Sequence, residues 1–307
     1  MPEFDVLTLA DLNVDLVLAD ADPEFGQKEK MISGYLLELG GSCPIFACQA
    51  AKLQLRTAVA GVMGEDLFGR FMLSRLSEAG VDVSLVEMRK GFRTAASFAL
   101  CRGNDRAILT DQAGITAMPF ERVTETFLAK ARHIHVGSYF LLTNLKTYFP
   151  QILTMARSLG LTVSIDTNWD PEEKWDGVNK ILELTDIFMP NENELIAISG
   201  IDDLDRALEE MSKIVPLVVV KRGSLGSIAR QGDKIWSVPA FPIRYVDGVG
   251  AGDSFDAGFL KGYLSGFSVE KSLRLGSYCG AMNTTAAGGI QGQPRWTDLP
   301  SDILQDR

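Results

Sequence analysis

Histidine is nearly absent: the 307-residue chain carries two, His133 and His135. They alternate along one apolar run with no cysteine or acid at metal-ligand spacing, which favours core and strand-end roles over zinc. Cysteine is scarce too. Cys43, Cys48, Cys101 and Cys279 lie far apart with no C-x-x-C, the pattern of reduced, partly buried thiols. No apolar run approaches the roughly 20 residues that span a bilayer. The opening MPEFDVLTLADLNVD has no basic stretch and meets acids at once, so it does not read as a secretory signal. Positive charge is the minority: 30 Lys and Arg stand against 40 acids, a formal charge of -10. That balance argues against a nucleic-acid or anionic-membrane partner, while the reduced thiols point to a cytoplasmic protein. Three familiar ligand motifs are also missing. There is no GxxxxGK[ST] loop, and Gly248-x-Gly250-x-Gly252 fails the dinucleotide fingerprint because Asp253 follows. Asp166-Thr-Asn168-Trp-Asp170 starts like a calcium loop, but Pro171 and Gly177 stand where glycine and glutamate are needed.

What is present begins with 46% hydrophobic residues and a slightly positive mean hydropathy, enough for one large core or a main domain with a small appendage. Phe4 to Ala10 reads as a buried first strand. Asp11-Leu-Asn13-Val-Asp15 places polar groups at its carboxyl end, where open α/β sheets bind ligands. Residues 16–39 read as a hairpin excursion, and 92–110 as a second β pair around a Gly103-Asn104-Asp105 turn. Together, about 16–39 and 91–112 form a four-strand patch of the size of a lid. Elsewhere helices and strands alternate. Helices are predicted over about 43–54, 120–130, 145–159, 174–184, 192–199, 203–214, 252–265 and 269–286, with another entered through Gly64 to Gly69 and ending near Gly80. Strands are predicted over 57–62, 83–87, 133–136, 161–166, 186–189 and 217–220, and a hairpin-type stretch over 225–245. Repeated βα units imply a largely parallel, three-layer α/β sheet.

The chemistry gathers in a few segments. Asp247-Gly-Val-Gly-Ala-Gly-Asp253 leads into a helix with Phe255, Phe259, Leu260, Tyr263 and Leu264 on one stripe. Gly250, Ala251 and Gly252 let backbone approach a ligand, and the helix start aims N–H groups at an anion, phosphate above all. Asp253 reads either as a helix N-cap or as a base beside a phosphate in transfer, and the local sequence does not choose. Gly40-Gly41-Ser42 opens a second helix. Asn191-Glu-Asn-Glu194 reads as an N-cap or as a carboxylate network holding Mg²⁺ through water. Lys221-Arg-Gly223-Ser-Leu-Gly226 alone reads as a turn, and Arg93 and Arg106 lie in the β patch, from which an arginine can reach a cleft.

In order, these segments resemble the ribokinase-like (PfkB-type) carbohydrate kinases over almost the whole chain. Residues 247–258 are similar to the family's C-terminal D-T-x-G-A-G-D signature. Gly40-Gly41-Ser42 with Gly61-Val-Met-Gly-Glu-Asp-Leu-Phe-Gly69 is similar to its N-terminal one, and Asn191-x-x-Glu194 to its N-x-x-E motif. The resemblance implies a ribokinase-like fold with a mostly parallel central sheet and a small β-sheet lid, in a single kinase domain spanning 1–307. It implies ATP and Mg²⁺. Asp253 would be the base and Gly250, Ala251 and Gly252 the anion hole. Asn191 and Glu194 would order Mg²⁺ and its waters, while Lys221, Gly223, Gly226 and Ser277 line the nucleotide site. Asn13, Asp15, Gly40 and Gly41 would hold the sugar, with Arg106 reaching it from the lid. A monovalent cation such as K⁺ would meet Asp247, the Val249 carbonyl and carbonyls of the 283–289 loop, Asn283 and Ala286 among them.

Three departures qualify the likeness. Gly248 replaces the usual Thr beside the cation site. Ile45 replaces a sugar-contacting Asn, which argues against a strict ribose kinase. Lys221 is basic where Thr is frequent, and so meets a nucleotide phosphate directly. The expected activity is ATP-dependent phosphorylation of a primary hydroxyl of a small sugar, of ribokinase or fructokinase type. A lid arginine in the cleft favours a sugar acid such as 2-keto-3-deoxygluconate, and a large apolar pocket around Ile45 and Phe46 favours a nucleoside. The reading from another class is a non-catalytic sugar-binding sensor on the same fold. Open lid edges need covering, so a homodimer joined through the lid is expected.

Overall fold

The computed structural model describes residues 2–23, 26, 29–102 and 105–304, leaving aside the side chains of 105, 106 and 304. The Gly103-Asn104 part of the expected turn lies outside the described residues. In chain order the strands are β1 (Val6–Leu9), β2 (Asn13–Ala19), β3 (Gly34–Gly40), β4 (Thr57–Gly64), β5 (Asp82–Arg89), β6 (Ala95–Arg102), β7 (Asp105–Asp111), β8 (His133–Val136), β9 (Thr162–Ile165), β10 (Ile187–Phe188), β11 (Leu217–Lys221), β12 (Ser227–Gln231) and β13 (Lys234–Val238).

Nine of them form the central sheet in the order β13-β12-β11-β10-β9-β8-β1-β4-β5. Pairing is parallel from β5 through to β11, and β12 and β13 turn back antiparallel. The parallel strands are apolar on both faces because both faces are covered. Leu7 and Leu9 of β1 enter one core with Val218 and Val220 of β11, while Val6 and Ala10 enter the other with Leu217 and Val219. This alternation is the pleat itself. The helices Phe149–Ser158, Val178–Leu182, Glu192–Ser199 and Leu204–Ser212 cover the first face, and Ser42–Lys52, Leu67–Glu78 and Ala251–Leu264 the second. The Ala251–Leu264 and Val269–Asn283 helices pack through glycine: a Cβ on Gly258 would lie 2.9 Å from Cys279 Sγ, and one on Gly276 2.9 Å from the Phe255 carbonyl. That close approach fixes the helix whose first turn carries Asp253.

The second sheet is the lid, in the order β3-β2-β6-β7. It comes from the two β excursions expected in the sequence. Asn13 and Asp15, expected at the end of the first strand, instead open β2 of this lid. Other expectations need correction. The 120–130 helix is a 3₁₀ turn at Phe120–Arg122 followed by a short helix that Thr124 caps. The 145–159 helix is two pieces, because Pro150 lacks an N–H and fits only a first turn, that of Phe149–Ser158. The 174–184 helix shrinks to Val178–Leu182, because the Asp170 carboxylate takes the N–H groups of Glu172, Lys174 and Trp175 into a loop. The hairpin ends at Val238, after which Pro239 and Pro242 remove ladder donors. Among the described residues no helix is long and apolar enough to cross a membrane, and all four cysteines are free.

Candidate active site

Both glycine-rich helix entries arrive at the same edge of the central sheet. After β1, the buried Asp11 carboxylate accepts from the backbone N–H of Ser42 at 2.9 Å and of Cys43 at 3.0 Å, and from Ser138 Oγ at 2.7 Å. Burial raises its pKa against those hydrogen bonds. Gly41 sits at φ +83° with its missing Cβ 2.1 Å from the Asp11 carbonyl, so glycine is required there. Opposite, Gly250 at φ +73° is the N-cap of the Ala251–Leu264 helix and supplies no side-chain cap. Asp253 is therefore not the cap. Its carboxylate turns instead to Ser42, whose hydroxyl donates to it. Burial, with smaller contributions from the charges of Asp166 and Asp11, pushes Asp253 up to about 8, against the pull of Ser42 and Lys221.

In front of that helix lies a cavity of about 760 Å³. Lys221, Gly223, Gly226 and Ser277 line it, as do Gly248, Ala251 and Gly252. Ser277 is tied to Ser227 at 2.7 Å. Much of the remaining wall, Phe241, Pro242, Ile243 and Tyr245, is apolar, from a segment that sequence reading assigned to a hairpin. Absent ladder donors around Pro239 and Pro242 were the signal to look there. A side chain on Gly252 would begin 3.5 Å from Lys221 Nζ, so the bare first turn and an ammonium face the same space. A helix start of that kind suits phosphate.

Lys221 is anchored from behind. Its Nζ donates to Asp166 at 2.5 Å and to Asp256 at 3.1 Å, both carboxyls being buried. Burial opposes the Lys221 charge, but Asp166 and Asp256 outweigh it and raise its pKa. Burial would raise Asp166, yet Lys221 and a hydrogen bond from Asp256 hold it low. Burial drives Asp256 well up despite Lys221, which leaves Asp166 as the stronger counter-charge of Lys221. Neither acid was singled out from the sequence. Asp166 sat in the rejected calcium loop and Asp256 in the helix signature, and only the fold brings them to Lys221.

Asn191 and Glu194 form a complete capping box at 2.9 and 2.8 Å. Asn191 bridges to Lys221 on the adjacent strand. Glu194 is buried and pushed up to about 7, first by burial and then by the charge of Asp166. Among the described residues no three acids, histidines or cysteines converge as a metal cage. Glu194 would therefore meet Mg²⁺ only through the waters of an ion carried on phosphates, which asks little of the protein.

On the lid side, Asn13 Nδ2 donates to Asp15 Oδ1 at 2.9 Å and to Ser97 Oγ at 3.1 Å. A Cβ on Gly40 would overlap Asp15 Oδ1 at 2.2 Å, so Gly40 and Asp15 are in contact. Pairing registers put Glu38, Asp15, Ser97 and Thr110 in one row across the lid. Glu38, missed in the sequence, accepts from Gln291 at 3.0 Å. Arg93 lies exposed and paired with Asp111 at 3.3 Å. Arg106 stands in β7, and its side chain lies outside the described residues. Ile45 and Phe46 are buried in the core, Ile45 against Gly250 and Gly289, and Phe46 stacked on His135 at 4.0 Å.

Around the glycine loop, Asp247 accepts from the N–H of Val249 at 3.1 Å and of Gly288 at 3.0 Å. The Val249 carbonyl accepts from Asn283 Nδ2 at 2.7 Å, leaving the buried Asn283 Oδ1 without a partner among the described residues. Tyr245 Oη lies 3.0 Å from where a Cβ on Gly248 would stand, filling the space of the missing Thr.

Known proteins match this arrangement. A family model described as pfkB family carbohydrate kinase matches residues 4–296. An uncharacterised sugar kinase from Archaeoglobus fulgidus is 30% identical over 249 residues, 81% of this chain and 99% of its own. A fructokinase from Klebsiella pneumoniae is 30% identical over 288 residues, 88% and 94% of the two chains. A solved ribokinase II candidate from E. coli, in complex with ATP and Mg²⁺, superposes with a TM-score of 0.86 at 24% identity, covering 98% of this chain and 99% of its own.

Proposed function

The chain belongs to the pfkB family of carbohydrate kinases, and from that premise we propose that it transfers the γ-phosphoryl group of ATP to a primary hydroxyl of a small neutral sugar, as one kinase domain. The carrying observation is the convergence of three features at one sheet edge: the half-buried Asp253 carboxylate, the bare helix start at Ala251 and Gly252, and the cavity lined by Lys221. Asp253 takes the proton of the acceptor hydroxyl as its oxygen attacks the γ-phosphorus. The bond to the β–γ bridging oxygen breaks, and ADP leaves. The amides of the first helix turn and Lys221 stabilise the charge on the moving group, the main task in phosphoryl transfer. Glu194 would order the waters of a hydrated Mg²⁺, which when bound would neutralise phosphate charge. Asn13, Asp15 and the Gly40-Gly41 turn hold sugar hydroxyls.

Two observations favour a neutral sugar. Arg93 pairs with Asp111 at 3.3 Å, and Ile45 and Phe46 are buried in the core rather than open to the cleft. Asn283 Oδ1, without a partner among the described residues and beside the Val249 carbonyl, supports a monovalent cation such as K⁺ at Asp247 and Val249. Exposed Met31, Tyr35, Leu36, Ile108 and Leu109 on the lid support a homodimer through it. A light-scattering mass of one chain at micromolar concentration would contradict the dimer. The free thiols agree with a cytoplasmic setting.

The test is ADP release over a panel of neutral sugars, sugar acids and nucleosides. The proposal expects turnover with a neutral sugar. Turnover confined to acids or nucleosides overturns the substrate class. Tight sugar binding without any turnover identifies a sensor.

A further inference from the structure

We propose, resting on the reading of Asp253 as the base, that Ser42 is a positioning residue: its hydroxyl holds the Asp253 carboxylate in the sugar-free enzyme and yields it to the acceptor hydroxyl when sugar binds. Among the described residues, Ser42 is the one side chain that donates a hydrogen bond to Asp253. The hydroxyl thereby makes to the base the bond that a sugar O–H must make before giving up its proton.

Ser42 is itself held in place. Its backbone N–H and that of Cys43 are both taken by Asp11, which Ser138 steadies in turn. A Cβ on Gly137 would stand 3.1 Å from Ser42 Oγ, so the bare glycine leaves the hydroxyl its room. The bond joins the two glycine-rich helix entries, one on each side of the cleft. It is breakable by rotation about a single side-chain bond, with no backbone movement.

The other charged or titratable groups facing Asp253 are Asp11 and Cys43 at the first helix, Asp166 and Lys221 at the sheet edge, and Asp256 on its own helix. Of these, Asp166, Lys221 and Asp11 act on it through their charges. Ser42 acts through a hydrogen bond to the charged form, which lowers the pKa of a carboxylate.

The two kinetic constants separate this role from a structural one, since kcat/KM reports the free enzyme and kcat the sugar complex. In Ser42→Ala the acid limb of kcat/KM for the sugar moves to higher pH by about one unit, and in Ser42→Cys, a weaker donor, by less. The acid limb of kcat stays where it is, because in the complex the sugar hydroxyl has taken over. An unmoved kcat/KM limb in both variants, or both limbs moving together, overturns the inference. Asp253→Asn is assayed beside them. If it keeps full rate, the base reading has failed. If it is inactive while the Ser42 variants keep the wild-type limb, only the role of Ser42 has failed.

Discussion

Lys221 Nζ donates to Asp166 at 2.5 Å, joining the end of β11 to the end of β9 beneath the phosphate cradle. The pair is nearly dry, with the two side chains 12% and 3% exposed. Removing one partner from such a pair leaves a buried charge unmatched, which costs about 3–5 kcal/mol. Lys221→Met is therefore expected to lower the urea midpoint strongly. Adding Asp166→Asn to it should recover part of the loss, a coupling that a double-mutant cycle reads directly. Additive losses would show that the pair does not act as a unit.

Gly250 and Gly252 are two residues apart and predict opposite phenotypes. A Cβ on Gly250 would lie 2.7 Å from the Gly289 carbonyl oxygen and 2.8 Å from Ile45, at φ +73°. Gly250→Ala is expected to destabilise the fold. A Cβ on Gly252 meets nothing closer than Lys221 at 3.5 Å. Gly252→Ala should leave melting unchanged or slightly raised, since alanine favours a helix. It places a methyl where phosphate approaches, and kcat should fall roughly 10²-fold or more, as for a lost oxyanion donor. An active Gly252→Ala enzyme would move the phosphate cradle elsewhere.

His133 and His135 contribute a pH dependence of their own. His133 bonds Thr162 and Ser164 at 2.7 Å, and His135 bonds Ser164 at 2.8 Å. Burial pushes both down to about 3. Their folded pKa values lie below the ordinary 6.5, so between about 6.5 and 3 the unfolded chain binds protons that the fold refuses. Stability falls as pH falls, by about 1.4 kcal/mol per pH unit for each histidine. The raised Asp253 and Glu194 act in the opposite sense over the same range, so the test is the difference from His133→Asn: between pH 6.5 and 5, urea unfolding of the wild type should lose up to about 1.4 kcal/mol per pH unit more than that of the variant. An unchanged slope would mean that the histidines are protonated in the folded protein.

The sequence made much of this legible because periodicity and glycine placement report local backbone. The lid emerged from two non-helical stretches interrupting a βα rhythm, and the helix entries from their glycines. Helix lengths were less legible where one side chain redirects the backbone, as Asp170 does before Val178 and Pro150 does at Phe149. The site showed the same division. Asp253, Asn191 and Glu194 stand in recognisable strings, whereas Asp11, Glu38, Asp166 and Asp256 gain meaning only from neighbours distant in sequence. Ser42 stood inside a motif, but its partner lies 211 residues away.

The central claim is that Asp253 removes a proton rather than merely binding sugar. Asp253→Asn tests it most directly, with sugar affinity by calorimetry and turnover by ADP release measured on the same preparation. The account predicts sugar binding within a few-fold of wild type, with kcat reduced by roughly 10² or more. Turnover at the wild-type rate in that variant would contradict it.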